Sequence, residues 1–441
     1  MSTIDRSRSR GRRSRAAAAF GVGVFTLAAG LSTAVAGPAA ADTVTHTITV
    51  GANPDGVAVS GDRAYVANFG SGTVSVIDTA AIPPAVIGAP IPVGANPSGV
   101  AISSDGARAF VTNWNSRTVS VIDTATNTVT TVPVGTNPAT VAIGGDRAYV
   151  ADNGSDTVSV IDTAATPPVV TATIRALSQP SGVAVSGDRA YVANNGSDTV
   201  SVIDTAATPP AVIDTITVGA NPYGVAISPD GARAFVTNWN SNTVSVIDTA
   251  TNAVTATVPA GATPSAVAVS GDRAYVTNQG SGTVSVIDTA ATPPVVTATI
   301  AVGATPSGVA ISPDGARAYV TNNADGTVSV IAIEQAPTLT GTPVTGIVGQ
   351  SYSHAFTVTG KPAPTVTVTD GVLPDGLTVS PGGVLSGTPS AAGRFEFTLT
   401  ASNGIGADAV LPVVLEITDT APPATGSFGS FGSVGSLSWT S

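Results

Sequence analysis

Short apolar runs of five or six residues, each mixing Val, Ile, Ala, Ser and Thr, fill most of this chain between turns rich in Gly, Asn, Asp and Pro. The first copy of the pattern is easily followed. Gly56–Ser60 (GVAVS) is succeeded by Arg63–Asn68 (RAYVAN), by Thr73–Asp78 (TVSVID) and by a looser segment ending at Val93. The joints have turn chemistry: SGDR or SPDGAR, then NFGSG-like loops, then DTAATPP or DTATN, then VGANPSG. Runs this short, bounded so regularly, predict strands. Because apolar residues do not alternate cleanly with polar ones, both faces of each sheet are expected to be covered.

The pattern repeats. AYVAN (64–68), AFVTN (109–113), AYVAD (148–152), AYVAN (190–194), AFVTN (234–238), AYVTN (274–278) and AYVTN (318–322) place aromatic residues at spacings of 45, 39, 42, 44, 40 and 44 residues. A period in the forties built from four strands is that of a β-propeller blade, stable only when stacked on neighbours. The expected fold class is therefore all-β, a seven-bladed propeller over residues 45–334. TVSVID or its equivalent occurs seven times, ending at Thr327–Ala332, but no outer strand follows the seventh. Thr45–Val50 (THTITV) matches an outer strand such as Asp214–Val218. It should close the ring on the last blade and remove an open edge. Counting back across the four-residue loop pairs Arg63, Arg108, Arg147, Arg189, Arg233 and Arg273 with the Asp that ends each third strand, predicting a ring of structural ion pairs.

The repeats, with their NPxGVAxSxDGxRAYVTN and TVSVIDT phrases, closely resemble the YVTN family of β-propellers. That resemblance implies a seven-bladed ring and a secreted, periplasmic or surface-layer setting, while leaving function open, since such propellers serve many roles. Residues 336–418 form a second unit. Within it, LPDGLTVSPGGVLSGTPSAAGRFEFTLTASNGIGADAVLPVVLEI (373–417) resembles the bacterial Ig-like family, which implies a small β-sandwich. Where that family often has an acidic residue after the TA, this chain has Ser402-Asn403, so no calcium site is expected there.

Residues 1–41 read as a secretory signal, with six arginines, an Ala/Gly/Val/Phe/Leu run and Ala39-Ala40-Ala41 before Asp42. Cleavage is expected after Ala41. No later apolar run reaches the length of a membrane helix, so no membrane span is predicted. The tail 421–441 is Gly/Ser-rich and of low complexity, and is expected to be disordered. The chain's formal charge is −11; cleavage removes six arginines and Asp5 and leaves −16. Such a surface disfavours nucleic acid. There is no cysteine, hence no disulfide.

Chemistry-bearing groups are few. The histidines are His46 and His354, the lysine is Lys361, and the glutamates are Glu334, Glu396 and Glu416; of these only His46, in the closing strand, falls inside the repeats. Sites built on His or Cys, and Ser-His-Asp or Cys-His nucleophiles, therefore lack partners, so neither a cofactor nor a catalytic residue is predicted. Specific recognition has to come from positions where one blade departs from the others. On the loop face these are Asp55, Phe69, Trp114, Arg117, Asp152, Asp156, Arg175, Gln179, Asp198, Tyr223, Trp239, Gln279 and Asp325. Asp152-Asn-Gly-Ser-Asp156 lacks the later Glu of a calcium loop and reads as a surface turn. Trp114 and Trp239, each in an Asn-Trp-Asn-Ser loop, suit stacking on a sugar or peptide. With Tyr223, Asp55, Arg117, Gln279 and Phe69 they form the candidate ligand site. The chain reads as a non-enzymatic, exported binding or cell-surface protein, monomeric, with a glycan, wall component or protein as partner. A lactonase-like hydrolase and a purely structural surface-layer component are the alternatives.

Overall fold

The structure, a computed structural model, describes residues 42–175 and 177–419. The expected signal (1–41) and tail (421–441) lie outside the described residues. Strands dominate, and the sole helical element among the described residues is a single 3-10 turn at Asn153–Ser155. No described helix is long and apolar enough to cross a membrane.

Seven sheets of four antiparallel strands succeed one another along residues 43–332. In the first, Pro54–Ser60, Arg63–Asn68, Thr73–Asp78 and Ala85–Pro92 lie in that order, inner strand to outer. The inner strand of each sheet touches the next, and Pro306–Ile311 of the last returns to Pro54–Ser60 of the first. Repeated four-stranded sheets around an axis are the arrangement of a propeller. The last sheet takes its outer strand from the other end of the domain: Thr43–Thr49 pairs antiparallel with Thr327–Ala332, from Thr43 opposite Ala332 to Thr49 opposite Thr327. The strand placed at 45–50 from sequence thus begins two residues earlier.

The core lies between sheets. Successive residues of a strand point to opposite faces, and here both faces are buried. Tyr65 and Ala67 pack with Ala109, Val111 and Ile122 of the second sheet. Ala64 and Val66 pack with Tyr319, Val328 and Val330 of the last. Each such apolar side chain contributes on the order of 2 kcal/mol on burial. At two glycines of the inner strands there is no room for a side chain. A Cβ on Gly56 would lie 2.3 Å from the Ser98 carbonyl, and one on Gly308 2.4 Å from the Asp55 carbonyl.

The predicted Arg/Asp register is present, from Arg63 opposite Asp78 through Arg273 opposite Asp288, with Arg317 opposite Ala332. The predicted ion pairs are not, because each aspartate is occupied in its own turn. Oδ1 of Asp78 accepts the amides of Ala80 and Ala81 at 2.9 and 3.0 Å, and the other five do the same. The arginines reach across to the next sheet. Nη1 of Arg63, Arg108, Arg147, Arg189 and Arg317 donates to the carbonyls of Thr124, Thr163, Thr205, Thr249 and Thr79 at 2.5–2.8 Å, and Arg233 likewise to Thr289. The seventh, Arg273, instead meets the carboxylate of Asp42 at 2.9 Å.

Asp42 does two further things. Its Oδ1 accepts the Glu334 amide at 2.8 Å, the position that the absent aspartate at 332 would cap, and its Oδ2 accepts the Tyr275 hydroxyl at 2.7 Å. The residue is 5% exposed. Burial and the neighbouring Asp42 charge push the Tyr275 phenol upward, keeping it a donor.

Residues 335–418 form the second unit. Gly346–Ile347, Ala409–Thr418, Gly393–Ser402 and Thr365–Gly371 make one sheet, and Tyr352–Ala355, Val384–Gly387 and Leu377–Val379 another. Phe356, Leu385, Phe397, Leu399 and Leu415 fill the space inside. Asn403, where the Ig-like pattern often has an acid, donates to the carbonyls of Gln335 and Pro362, both at 2.8 Å. It serves as a structural donor.

Replacing Asp42 by Ala strands Arg273, Tyr275 and the Glu334 amide together. It should cost about 3 kcal/mol and lower the melting temperature of the whole ring. Adding Ala332→Asp to that variant restores a cap at the Glu334 amide and should recover part of the loss. A calorimetric scan in which Asp42→Ala melts as the parent does would remove Asp42 from the closure.

Candidate functional site

Six of the seven inner strands contribute to one cavity of about 100 Å³, lined by Asp55, Gly56, Ser98, Gly99, Thr140, Tyr223, Gly224, Ser265, Ala266, Ser307 and Gly308. Its place on the ring axis follows from that membership. Five of these residues occupy the same repeat position, directly after the proline that opens each inner strand. Across the seven sheets that position holds Asp55, Ser98, Ala139, Ser181, Tyr223, Ser265 and Ser307. Five copies are Ser or Ala; Asp55 and Tyr223 are not.

The backbone before this position is set identically in every sheet. The pre-proline residues Asn53, Asn96, Asn137, Gln179, Asn221, Thr263 and Thr305 all have left-handed φ, between 47° and 56°. Asn tolerates this best, and at β-branched Thr263 and Thr305 it is strained. The asparagine amides also fix the neighbouring loops. Asn96 Nδ2 donates to the Phe69 carbonyl at 3.1 Å, and Asn137 Nδ2 to that of Trp114 at 3.5 Å.

Of the seven residues proposed from sequence, the structure brings Asp55 and Tyr223 into the cavity. Asp55 Oδ2 accepts the Ser98 hydroxyl at 2.6 Å. Burial raises its carboxyl above the usual range, partly offset by hydrogen bonds from Ser98 and Ser307. Burial first, and then the Asp55 charge, pushes the Tyr223 phenol upward, so the two groups sense each other. Trp239 packs on Tyr223, with ring centroids 5.6 Å apart and planes tilted by 45°. Tyr223 is therefore one half of an aromatic pair. Gln279 Nε2 donates to Ser265 Oγ, on the cavity wall, at 3.2 Å.

The other three stand apart. Phe69 and Trp114 are half-buried in the equivalent loops of the first and second sheets and do not line the cavity. Arg117 is exposed with φ 57°, and its carbonyl takes the Val134 amide at the edge of its sheet. Several remaining departures have structural work. Asp156 caps the Gln179 amide at 2.7 Å, Asp198 the Asn221 amide at 2.8 Å and Asp325 the Ala304 amide at 2.6 Å. Sequence reasoning passed over Thr140, which stands where the other sheets have Gly or Ala, and it passed over Ser98, Ser265 and Ser307 because small residues recur there. The signal available was the shared position after proline.

Asp152, read as part of a surface turn, is completely buried. It replaces the asparagine that ends the second strand of every other sheet. Asn68 Nδ2 donates to Thr73 and Ser75 at 3.1 and 2.9 Å, whereas Asp152 Oδ2 must accept from Ser159 and Thr157, at 2.6 and 3.3 Å. Burial pushes its carboxyl up to about 6. No group of three or more His, Cys, Asp or Glu that could hold a metal occurs among the described residues.

Comparison with known proteins agrees with this architecture. Residues 146–318 match the YNCE-like beta-propeller. Residues 52–78 match the LVIVD repeat and residues 336–418 the Putative Ig domain. None of the curated proteins matches the chain. Among solved structures, a chain of Kuenenia stuttgartiensis hydrazine synthase is similar at 25% identity and TM-score 0.57, covering 66% of this chain and 98% of that one. A chain of a mitotic checkpoint complex is similar at 18% identity and TM-score 0.58, covering 66% and 92%. A functionally unknown protein from Desulfotomaculum acetoxidans is similar at 15% identity and TM-score 0.51, covering 57% and 86%.

Asp152→Asn restores the repeat, and its effect should depend on pH. The folded state holds the Asp152 proton more tightly than the unfolded chain. Stability from this carboxyl is thus full below about pH 4 and lost as pH rises through about 6. The shift from 3.8 to about 6 corresponds to roughly 3 kcal/mol at neutral pH. Denaturant titrations should show Asn stabilising at neutral pH by up to that amount, with the gain shrinking towards pH 4. A gain of equal size at both pH values would show that the carboxyl's ionisation is not the cause.

Proposed function

We propose that this chain is an exported, non-enzymatic binding protein of the cell surface. On this reading its seven four-stranded sheets are the blades of a YVTN-type propeller, and residues 1–41 are its export signal. The propeller presents the loop face around the axis to a ligand, and the Ig-like unit follows it in the chain. The observation that carries the reading is the axial cavity. Where five blades hold only Ser or Ala, Asp55 and Tyr223 supply an acceptor and a phenol, and Tyr223 is backed by Trp239. Residues that merely build the ring need not differ between copies. An aromatic pair beside a carboxylate and several hydroxyls is the equipment of a recognition site.

A binding role is preferred to hydrolysis on the residues themselves. The cavity walls carry no histidine, glutamate or lysine, so Asp55 stands there with no second acid or base of the kind that shares proton transfer in hydrolysis. The similarity to a hydrazine synthase chain supports the fold, and nothing of that enzyme's chemistry is transferred here. Trp114, half-buried in a loop of the second sheet and outside the cavity, is assigned to the far end of an extended ligand such as a glycan or peptide.

A glycan and peptidoglycan array probed with residues 42–441 should give a discrete set of hits. The variant Trp114→Ala/Trp239→Ala should keep the parent melting temperature within a few degrees and bind those hits about tenfold more weakly or worse, as expected for two lost stacks. Undiminished binding by a folded double variant would move the site off this face.

A further inference from the structure

We propose that the axial cavity binds a primary ammonium group, of the kind that ends a lysine side chain or an amino sugar, between the Asp55 carboxylate and the Tyr223–Trp239 pair. The inference rests on the binding role argued above and names the chemistry of the ligand. Asp55 and Tyr223 stand at equivalent repeat positions of the first and fifth sheets, so ring geometry sets them across the axis from one another, and both line the same cavity. No cationic side chain lines it. The carboxylate is thus held in a confined space by a hydroxyl at 2.6 Å and has no countercharge there.

An ammonium group matches this environment in three respects. It carries the missing charge. Its three N–H donors can be shared among the carboxylate, the hydroxyls of Ser98 and Ser307, and the phenol oxygen. Its alkyl stem can lie against the aromatic pair, where a cation is attracted to the ring face. Size agrees as well: a cavity of about 100 Å³ has room for several waters, or for one small alkylammonium head. The acidic surface of the chain would raise the local concentration of such a cation. A multivalent metal is poorly served, since Asp55 is the one carboxylate on the wall.

The test is a ligand-observed NMR titration of residues 42–441 with n-propylammonium up to about 100 mM, beside propan-1-ol, guanidinium and potassium. Asp55→Ser is the informative variant. It installs the residue that Ser98, Ser181, Ser265 and Ser307 already supply at this position, so the ring should assemble normally. Tyr223→Ser, on the same logic, removes the opposite wall. Saturable binding of n-propylammonium, none of propan-1-ol, and a loss of about tenfold or more in Asp55→Ser would bear the proposal out. Equal binding by Asp55→Ser, equal binding of propan-1-ol, tighter binding of guanidinium or potassium, or no binding at all would overturn it. If Trp-dependent array hits persist while n-propylammonium is not held, recognition at this face stands and its charge chemistry falls. If neither is seen, both fall.

Discussion

Every sheet of the repeated domain is apolar on both faces, and that single constraint organises the rest. A sheet with two sticky faces cannot end a stack. It needs a neighbour on each side, and a closed ring is the finite arrangement that gives every sheet two. Tyr65 facing one neighbour while Val66 faces the other states this at the scale of two adjacent residues. The small residues at the axis, the turns and the outer strands then follow from seven wedges sharing one centre.

Polar groups reinforce the same interfaces. The repeat arginine of each sheet crosses to the next, usually to a threonine carbonyl, so the hydrogen bonds run around the ring in one direction. The aspartate opposite each arginine stabilises its own turn and leaves the guanidinium free to reach outward. Hydrogen bonds to a charged donor are worth about 1.5–3 kcal/mol each when partly shielded. A set of them adds direction to contacts that apolar packing alone would leave free to slide.

Much of this was legible in the linear pattern, and the limits are instructive. Strand lengths, the repeat, the register of Arg63 opposite Asp78 and the donation of Thr43–Thr49 to the last sheet all follow from spacing, because strand pairing is a matter of counting. What counting misses is reach. It puts Arg63 and Asp78 side by side but cannot show that an Asx turn has claimed the carboxylate first. It likewise cannot show that Asp42 would stand in for an aspartate missing at 332. At the candidate site, Asp55 and Tyr223 were visible as departures from the repeat, but their convergence in one cavity depends on ring closure. Arg117 was grouped with them by loop membership alone, and the turn carries it outward. Asp152 looked like a turn residue because its neighbours are polar, whereas its position in the repeat is a buried one.

The origin of the last outer strand has a consequence for the order in which the molecule can form. Six sheets draw all four strands from one contiguous stretch, and their local pairings can form early. The seventh cannot, because Thr43 must meet Ala332. During synthesis from the N-terminus, the strand made first would stay unpaired until the sheet made last appeared. Its alternation of threonine with Val44 and Ile48 keeps that waiting edge half polar. The opening residues of the domain are therefore a latch held open through assembly, and folding of the ring should be limited by the longest-range contact it contains rather than by any of the sheets themselves.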